Sequence, residues 1–380
     1  MKAKIYYTIG NNQLMSGITP HILPTDGPDD TSQLEELIEC GEIIPENIVC
    51  ILGKTEGNGC VNDFSRGLAT LAYRRALARH TTYSEDEIQQ DVVFIMSGGT
   101  EGYMTPHVTV FCRNDTSSRP QSDIKTLAGG IACTREFEPT EIGRMDQVNI
   151  TADAVRTAME RANISSLEDV HYVQVKCPLL NSSAPSDFDN TSHPPATTDS
   201  YESMKYSRAA SALGVGLGTG ELSDTEVSQE AINNDWSIYS SVASASAGVE
   251  MNHSEVLVLG NSVSSDSCYR IGSSTMQDSL DADSVSEAIT SSRGEYAHSD
   301  SNLINIFAKA QAPSNGRIRG RRHVIHDDSD IQSTRHARSV VNSVVGAVTG
   351  DPLSYVSGGA EHQGPAGGGP IAAISEIPVG

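Results

Sequence analysis

Three strand-like runs of this chain end on a lysine: NIVCILGK at Lys54, DVHYVQVK at Lys176 and LINIFAK at Lys309. Each follows a segment with amphipathic helical spacing: TSQLEELIECG (31–41), TADAVRTAMERAN (151–163) and DADSVSEAITSS (281–292). These open on Thr or Asp and carry acids in the first turn, as N-capping and the helix dipole favour. An extended segment precedes each helix: KIYYTIG, LAGGIACT and YRIGSST. After each lysine comes a loop, then a Ser/Thr-Arg pair opening a small-residue helix: SRGLATLAY (65–73), SRAASALG (207–214) and TRHARSVV (334–341). A further strand then runs to a serine, VVFIMS to Ser97, SSVASAS to Ser246 and LSYVS to Ser357. Four positions beyond each serine stands an acid: Glu101, Glu250 and Glu361. The strands VTVFCR, EVLVLGN and PIAAIS close the three units.

One such match arises easily by chance. The same three signals in the same order, three times, do not, and a repeat of this kind sets the architecture. The sequence therefore predicts an α/β protein of three similar units, 1–115, 125–262 and 266–380, each strand, helix, strand, helix, strand, strand. At 380 residues the chain also exceeds the usual reach of a single core. The linkers RNDTSSRPQSD (113–123) and SVSSDS (262–267) are polar, as loops should be. NSSAPSDFDNTSHPPATTDS (181–200) is too polar to pack and reads as a mobile loop or lid. With 5% aromatic residues, the core is expected to be built from Val, Ile, Leu, Ala and Met.

The net charge of −23 argues against a nucleic-acid partner and for a self-repelling, soluble surface. An anionic substrate would need the few cations gathered locally. Seven cysteines without a CxxC pair predict neither a disulfide framework nor a zinc site, and fit a reducing compartment. No signal peptide and no 18-residue apolar stretch is read, so a cytoplasmic protein without membrane contact is expected.

Lysine and serine at the ends of neighbouring strands suggest a Ser–Lys dyad. A serine hydroxyl attacks only when a base takes its proton. A lysine serves as that base only when burial or nearby cations lower its pKa. Arg66, Arg208 and, in the third unit, Arg335 or Arg338 one turn on would supply such cations. The small residues Gly98, Ala247 and Gly358 would let backbone N–H groups face a developing oxyanion. Three such sets about one axis describe a pocket for a small, flat, threefold-like ring. Glu101, Glu250 and Glu361 either orient the lysines or accept hydrogen bonds from loop N–H groups, the second being preferred.

Other signals fail. LGKT (52–55) lacks the first glycine of a P-loop, with Ile48 in its place. GVGLGTG (214–220) lacks the dinucleotide-binding spacing and is expected to end a helix. His107, His323, His336 and His362 show no metal spacing. Strand alternation turns Cys177 away from the face of Lys176.

GKTEGNGCVND (53–63), MSGGTEG (96–102), VQVKCPLL (173–180), SASAGVE (244–250) and VSGGAEHQGPAGGGP (356–370) resemble the cyanuric acid hydrolase and barbiturase family along essentially the whole chain. The resemblance implies a Toblerone fold, three like domains around a pseudo-threefold axis, usually as a homotetramer. It implies hydrolytic opening of a cyclic amide by Ser246 with Lys176. Lys54, Ser97, Lys309 and Ser357 would bind the ring together with Arg66 and Arg208. It implies no cofactor for catalysis and a structural Mg²⁺ or Ca²⁺ held by Ala360, Gln363, Gly364, Pro365 and Gly368. Three complete sets favour cyanuric acid, the substrate of s-triazine degradation, with carboxybiuret as product. Barbituric acid, and a non-catalytic binder of cyclic imides, are the alternatives.

Overall fold

Each lysine run is an inner strand of its own four-stranded sheet. The structure is a computed structural model and describes residues 17–114, 124–181, 194–296 and 302–378. The first unit comprises β1 (Ile18–Pro24), α1 (Ser32–Glu39), β2 (Ile48–Thr55), α2 (Phe64–His80), α3 (Glu85–Asp91), β3 (Val93–Gly98) and β4 (His107–Arg113). The second comprises β5 (Thr126–Cys133), α4 (Met145–Arg161), β6 (Val170–Pro178), α5 (Ser200–Thr219), β7 (Ala243–Gly248) and β8 (Glu255–Ser262). The third comprises β9 (Tyr269–Met276), α6 (Ala282–Arg293), β10 (Leu303–Ala310), the short hairpin β11 (Arg317–Ile318) and β12 (Arg321–Arg322), α7 (Ser333–Thr349), β13 (Tyr355–Gly358) and β14 (Gly369–Glu376).

The sheets share one topology: β1-β4-β2-β3, β5-β8-β6-β7 and β9-β14-β10-β13. In each, the lysine strand and the serine strand run parallel, joined by a helical crossover as a parallel pair requires. Their register sets Lys54 opposite Ser97, Lys176 opposite Ser246 and Lys309 opposite Ser357. The repeat read in the sequence is thus a repeat of backbone pairing.

The units meet at a shared core. Cys50 and Ile95 from the first, Tyr172 and Leu257 from the second, and Phe307 and Tyr355 from the third belong to one buried cluster. Phe307 sits at its centre, 5.3 Å from the Tyr172 ring and 6.0 Å from Tyr355. Phe111 and Phe307 with Tyr172 and Tyr355 thus lie where the sheets converge, and the aliphatic core expected from composition describes two of the outer clusters.

Local differences have local causes. KIYYTIG lies outside the described residues, as do positions 182–193 of the proposed lid. The strand that opens the first sheet is ITPHILP, whose two prolines suit an edge strand. Helix α3 carries a capping box, Ser84 with Glu87. Helix α5 starts at Ser200, so the Ser207–Arg208 pair lies two turns inside it rather than at its opening. Gly214, Gly216 and Gly218 also lie within α5, which ends only at left-handed Gly220. Their role is close approach: a Cβ on Gly218 would sit 2.7 Å from Val155 Cβ of α4. No helix among the described residues is long and apolar enough to cross a membrane.

Candidate active site

The parallel register delivers three buried lysines and three buried serines to the axis. Ser357 Oγ lies 2.9 Å from Ser246 Oγ and 3.3 Å from Ser97 Oγ, so the hydroxyls meet. The lysines bind across units as well as within them. Lys176 Nζ donates to the Met96 carbonyl at 2.8 Å, next to Ser97. Lys309 Nζ donates to the Ala245 carbonyl at 2.5 Å, next to Ser246, and to Ser357 Oγ at 3.0 Å. Lys54 Nζ donates to the Gly98 carbonyl at 3.1 Å and reaches Ser97 Oγ at 3.5 Å.

The three acids do not serve chiefly as acceptors of loop N–H groups. Each binds the arginine of another unit, and the pairs close a ring. Arg66 Nε donates to Glu250 Oε1 at 2.9 Å. Arg208 grips Glu361 through Nε at 2.8 Å and Nη2 at 2.7 Å. Arg338 grips Glu101 through Nε at 2.7 Å and Nη2 at 2.5 Å. Arg338, not Arg335, completes the set. Arg335 instead places Nη2 3.9 Å from Cys60 Sγ. Counting from the helix start pairs Arg335 with Arg66, both third in their helices, but the contacts pair Arg338 with Arg66. Asp63, which caps α2 and also accepts Gly59 N–H at 2.7 Å, holds Arg66 Nη1 at 3.4 Å.

The threefold pattern breaks at Glu250. Its Oε1 takes Arg66 and also Lys176 Nζ, at 2.8 Å. In the other two pairs the arginine fork occupies the carboxylate. Burial and the charge of Arg338 push Lys54 far below the usual lysine range. Burial and Arg208 do the same to Lys309. Burial also lowers Lys176, but Glu250 pulls against it while Arg66 adds to it. Burial alone would raise Glu250; Lys176 and Arg66 outweigh it and hold the carboxyl at about 2.

A cleft of about 280 Å³ opens over this centre. The serines and the small residues after them, Gly98, Ala247 and Gly358, form its floor. Arg66, Arg208, Arg338 and Lys176 reach it from the sides. Lys54 and Lys309 bind the serine loops at its base. Sequence reasoning missed Met204 and Gly59, which also line the cleft. Met204 precedes Arg208 by one helical turn, a usable signal. It also missed why a glycine stands two positions after each serine. Gly99 and Gly359 have φ of +101° and +80°, and a Cβ there would meet Arg338 at 2.4 Å and Arg208 at 2.6 Å.

The C-terminal loop packs against the same centre. Glu361 is committed to Arg208. His362 donates from Nδ1 to the Ile238 carbonyl at 2.6 Å and accepts Asn233 N–H on Nε2 at 2.8 Å, so neither ring nitrogen is left for a metal. The Gln363 side chain accepts Ala245 N–H and donates to the Gly359 and Glu361 carbonyls. What Ala360, Gln363, Gly364, Pro365 and Gly368 present to an ion is main-chain carbonyl oxygen. That donor type fits a hard cation, with the low charge of a weak site.

Residues 20–376 match the family of amidohydrolase ring-opening proteins. This chain belongs to that family of cyclic amide hydrolases. The cyanuric acid amidohydrolase of Enterobacter cloacae is 49% identical over 360 residues, spanning 93% of this chain and 97% of that protein. That of Pseudomonas sp. (strain ADP) is 48% identical over 353 residues, with the same shares of both chains. A solved cyanuric acid hydrolase, described as an innovation by structural concatenation, superposes with a TM-score of 0.90 at 47% identity, covering 95% of this chain and 99% of that one. The α/β fold of three similar units thus recurs in a relative of known structure.

Proposed function

We propose that this amidohydrolase opens the ring of cyanuric acid with a Ser–Lys dyad. The observation that carries the reading is the meeting of three Lys–Ser register pairs and three arginines around one small cleft. That arrangement matches a flat ring with three equivalent carbonyls and three N–H groups, and the names of the most similar relatives agree.

Ser246 Oγ attacks a ring carbonyl carbon while Lys176 Nζ takes its proton. Of the three lysines, Lys176 is the one beside a shared carboxylate, so the ammonium formed there is stabilised by Glu250. Ammonium at Lys54 or Lys309 would lie in sites that oppose charge more strongly. Backbone N–H groups after the serines face the oxyanion. Ring C–N cleavage returns the proton from Lys176 to the leaving nitrogen. Water then attacks the carbamoyl ester, giving carboxybiuret, which loses CO₂ to leave biuret. Lys54, Lys309, Ser97, Ser357 and the arginines hold the ring and its charge.

The reading needs no cofactor for catalysis. It includes a structural Mg²⁺ or Ca²⁺ on the C-terminal loop carbonyls, whose oxygen donors support it. It extends to a cytoplasmic homotetramer on the family resemblance; none of the seven cysteines is in a disulfide, which supports a reducing compartment.

The test is ultraviolet loss of cyanuric or barbituric acid with wild type and Ser246→Ala. Consumption of cyanuric acid by wild type alone supports the reading. Faster loss of barbituric acid would replace the substrate, and binding of either ring without turnover would replace the enzyme by a binder.

A further inference from the structure

Away from the cleft, one end of the second sheet gathers three ligand-type side chains. Cys133 ends β5 and Glu255 opens β8, and the two are antiparallel partners. His253 stands in the turn just before Glu255. One donor atom of each lies within 4.8 Å of the other two, the only such trio among the described residues.

His253 Nε2 and Glu255 Oε1 are 3.7 Å apart. That is too far for a hydrogen bond. It is close to the roughly 3.4 Å between nitrogen and oxygen ligands on a tetrahedral ion with bonds of about 2.0–2.1 Å. The outer contacts aim the donors inward. Asn252 Oδ1 lies 3.4 Å from His253 Nδ1, a contact that favours the proton on that nitrogen. Phe94 N–H holds Glu255 Oε2 at 3.1 Å, which leaves Oε1 facing the histidine. Bound metals use partners of this kind behind their ligands. A groove lined in part by Phe94, His253 and Glu255 gives an entry path.

We propose that Cys133 Sγ, His253 Nε2 and Glu255 Oε1 hold one thiophilic divalent cation of the zinc class, with water as fourth ligand. The mixed S, N, O donor set selects such an ion over Mg²⁺ or Ca²⁺. Binding replaces the S–H bond of Cys133 by S–metal, and the proton leaves to solvent. The ion ties β5 to β8 and, through the Phe94 amide, to the first sheet. It thereby pins the turn between Glu250 and Glu255 without entering the cleft.

The test is titration of chelator-treated full-length protein with Zn²⁺ and with Co²⁺. Wild type should bind one equivalent that survives gel filtration, and Co²⁺ should give thiolate-to-cobalt absorption in the near ultraviolet. Cys133→Ser should abolish that absorption, and His253→Gln should weaken binding roughly tenfold or more. The His253 ring is partly exposed, so that variant stands in if Cys133→Ser does not fold. Absence of stoichiometric binding by wild type, or wild-type affinity in both variants, overturns the proposal.

Discussion

Lys176 Nζ lies 2.8 Å from Glu250 Oε1, the oxygen that Arg66 also uses. No counterpart of this contact is found at Lys54 or Lys309 among the described residues, whose acids are gripped by two-pronged arginines. A threefold scaffold thereby sets one of its three lysines apart.

Glu250→Gln should lower kcat by about 100-fold or more, since Lys176 loses the charge that favours its protonated form. The pH profile gives the sign. Lys176 must be neutral to act, so kcat/KM rises with pH through its lowered pKa, below the ordinary lysine value of 10.5. Glu250 raises that pKa, so removing it should move the rising limb to lower pH while the plateau falls. An unmoved limb would show that Lys176 is not the base.

Arg338→Ala should raise KM more than about tenfold and destabilise the fold by about 3 kcal/mol, because Glu101 is left without its fork. Arg335→Ala should leave stability within about 0.5 kcal/mol and KM within roughly threefold. Urea unfolding and steady-state kinetics on both variants check the assignment.

Acid stability should depend on Glu250. Its folded pKa of about 2 lies below the ordinary 4.5, so its contribution is complete above about 4.5 and is lost as pH falls toward 2. The shift corresponds to about 3 kcal/mol. Denaturation midpoints between pH 6 and pH 3 should fall less steeply in Glu250→Gln than in wild type.

Gly359→Ala places a Cβ against the Arg208 guanidinium and strains a backbone at φ +80°. It should cost about 1–3 kcal/mol of stability and weaken substrate binding. Thermal unfolding and KM read the two effects separately.

The sheets were legible because each lysine and serine stands in the last residues of a strand, and parallel pairing sets the two opposite one another. The arginine ring was only half legible. Its partners stand in different units, and no spacing along the chain tells which unit's Glu meets which Arg. The Ser/Thr-Arg pair pointed to Arg335 and left Arg338 one turn on as the alternative, and it is Arg338 that α7 turns onto Glu101. The glycine run 214–220 does end α5, at left-handed Gly220, but its first three glycines lie inside the helix, where close packing on α4 outweighs the poor helix propensity of glycine. Cys133 and His253 are brought together only by the β5–β8 ladder, beyond any motif.

The closed circuit of arginines and acids also constrains ancestry. One unit taken alone would carry a guanidinium and a carboxylate, each made for a neighbour. Three identical copies could satisfy one another, as a ring of separate chains would. Within one chain, a change at any of these residues leaves a partner in the neighbouring unit unmatched. Glu250, serving two cations where Glu101 and Glu361 serve one arginine each, is the point at which the three units differ.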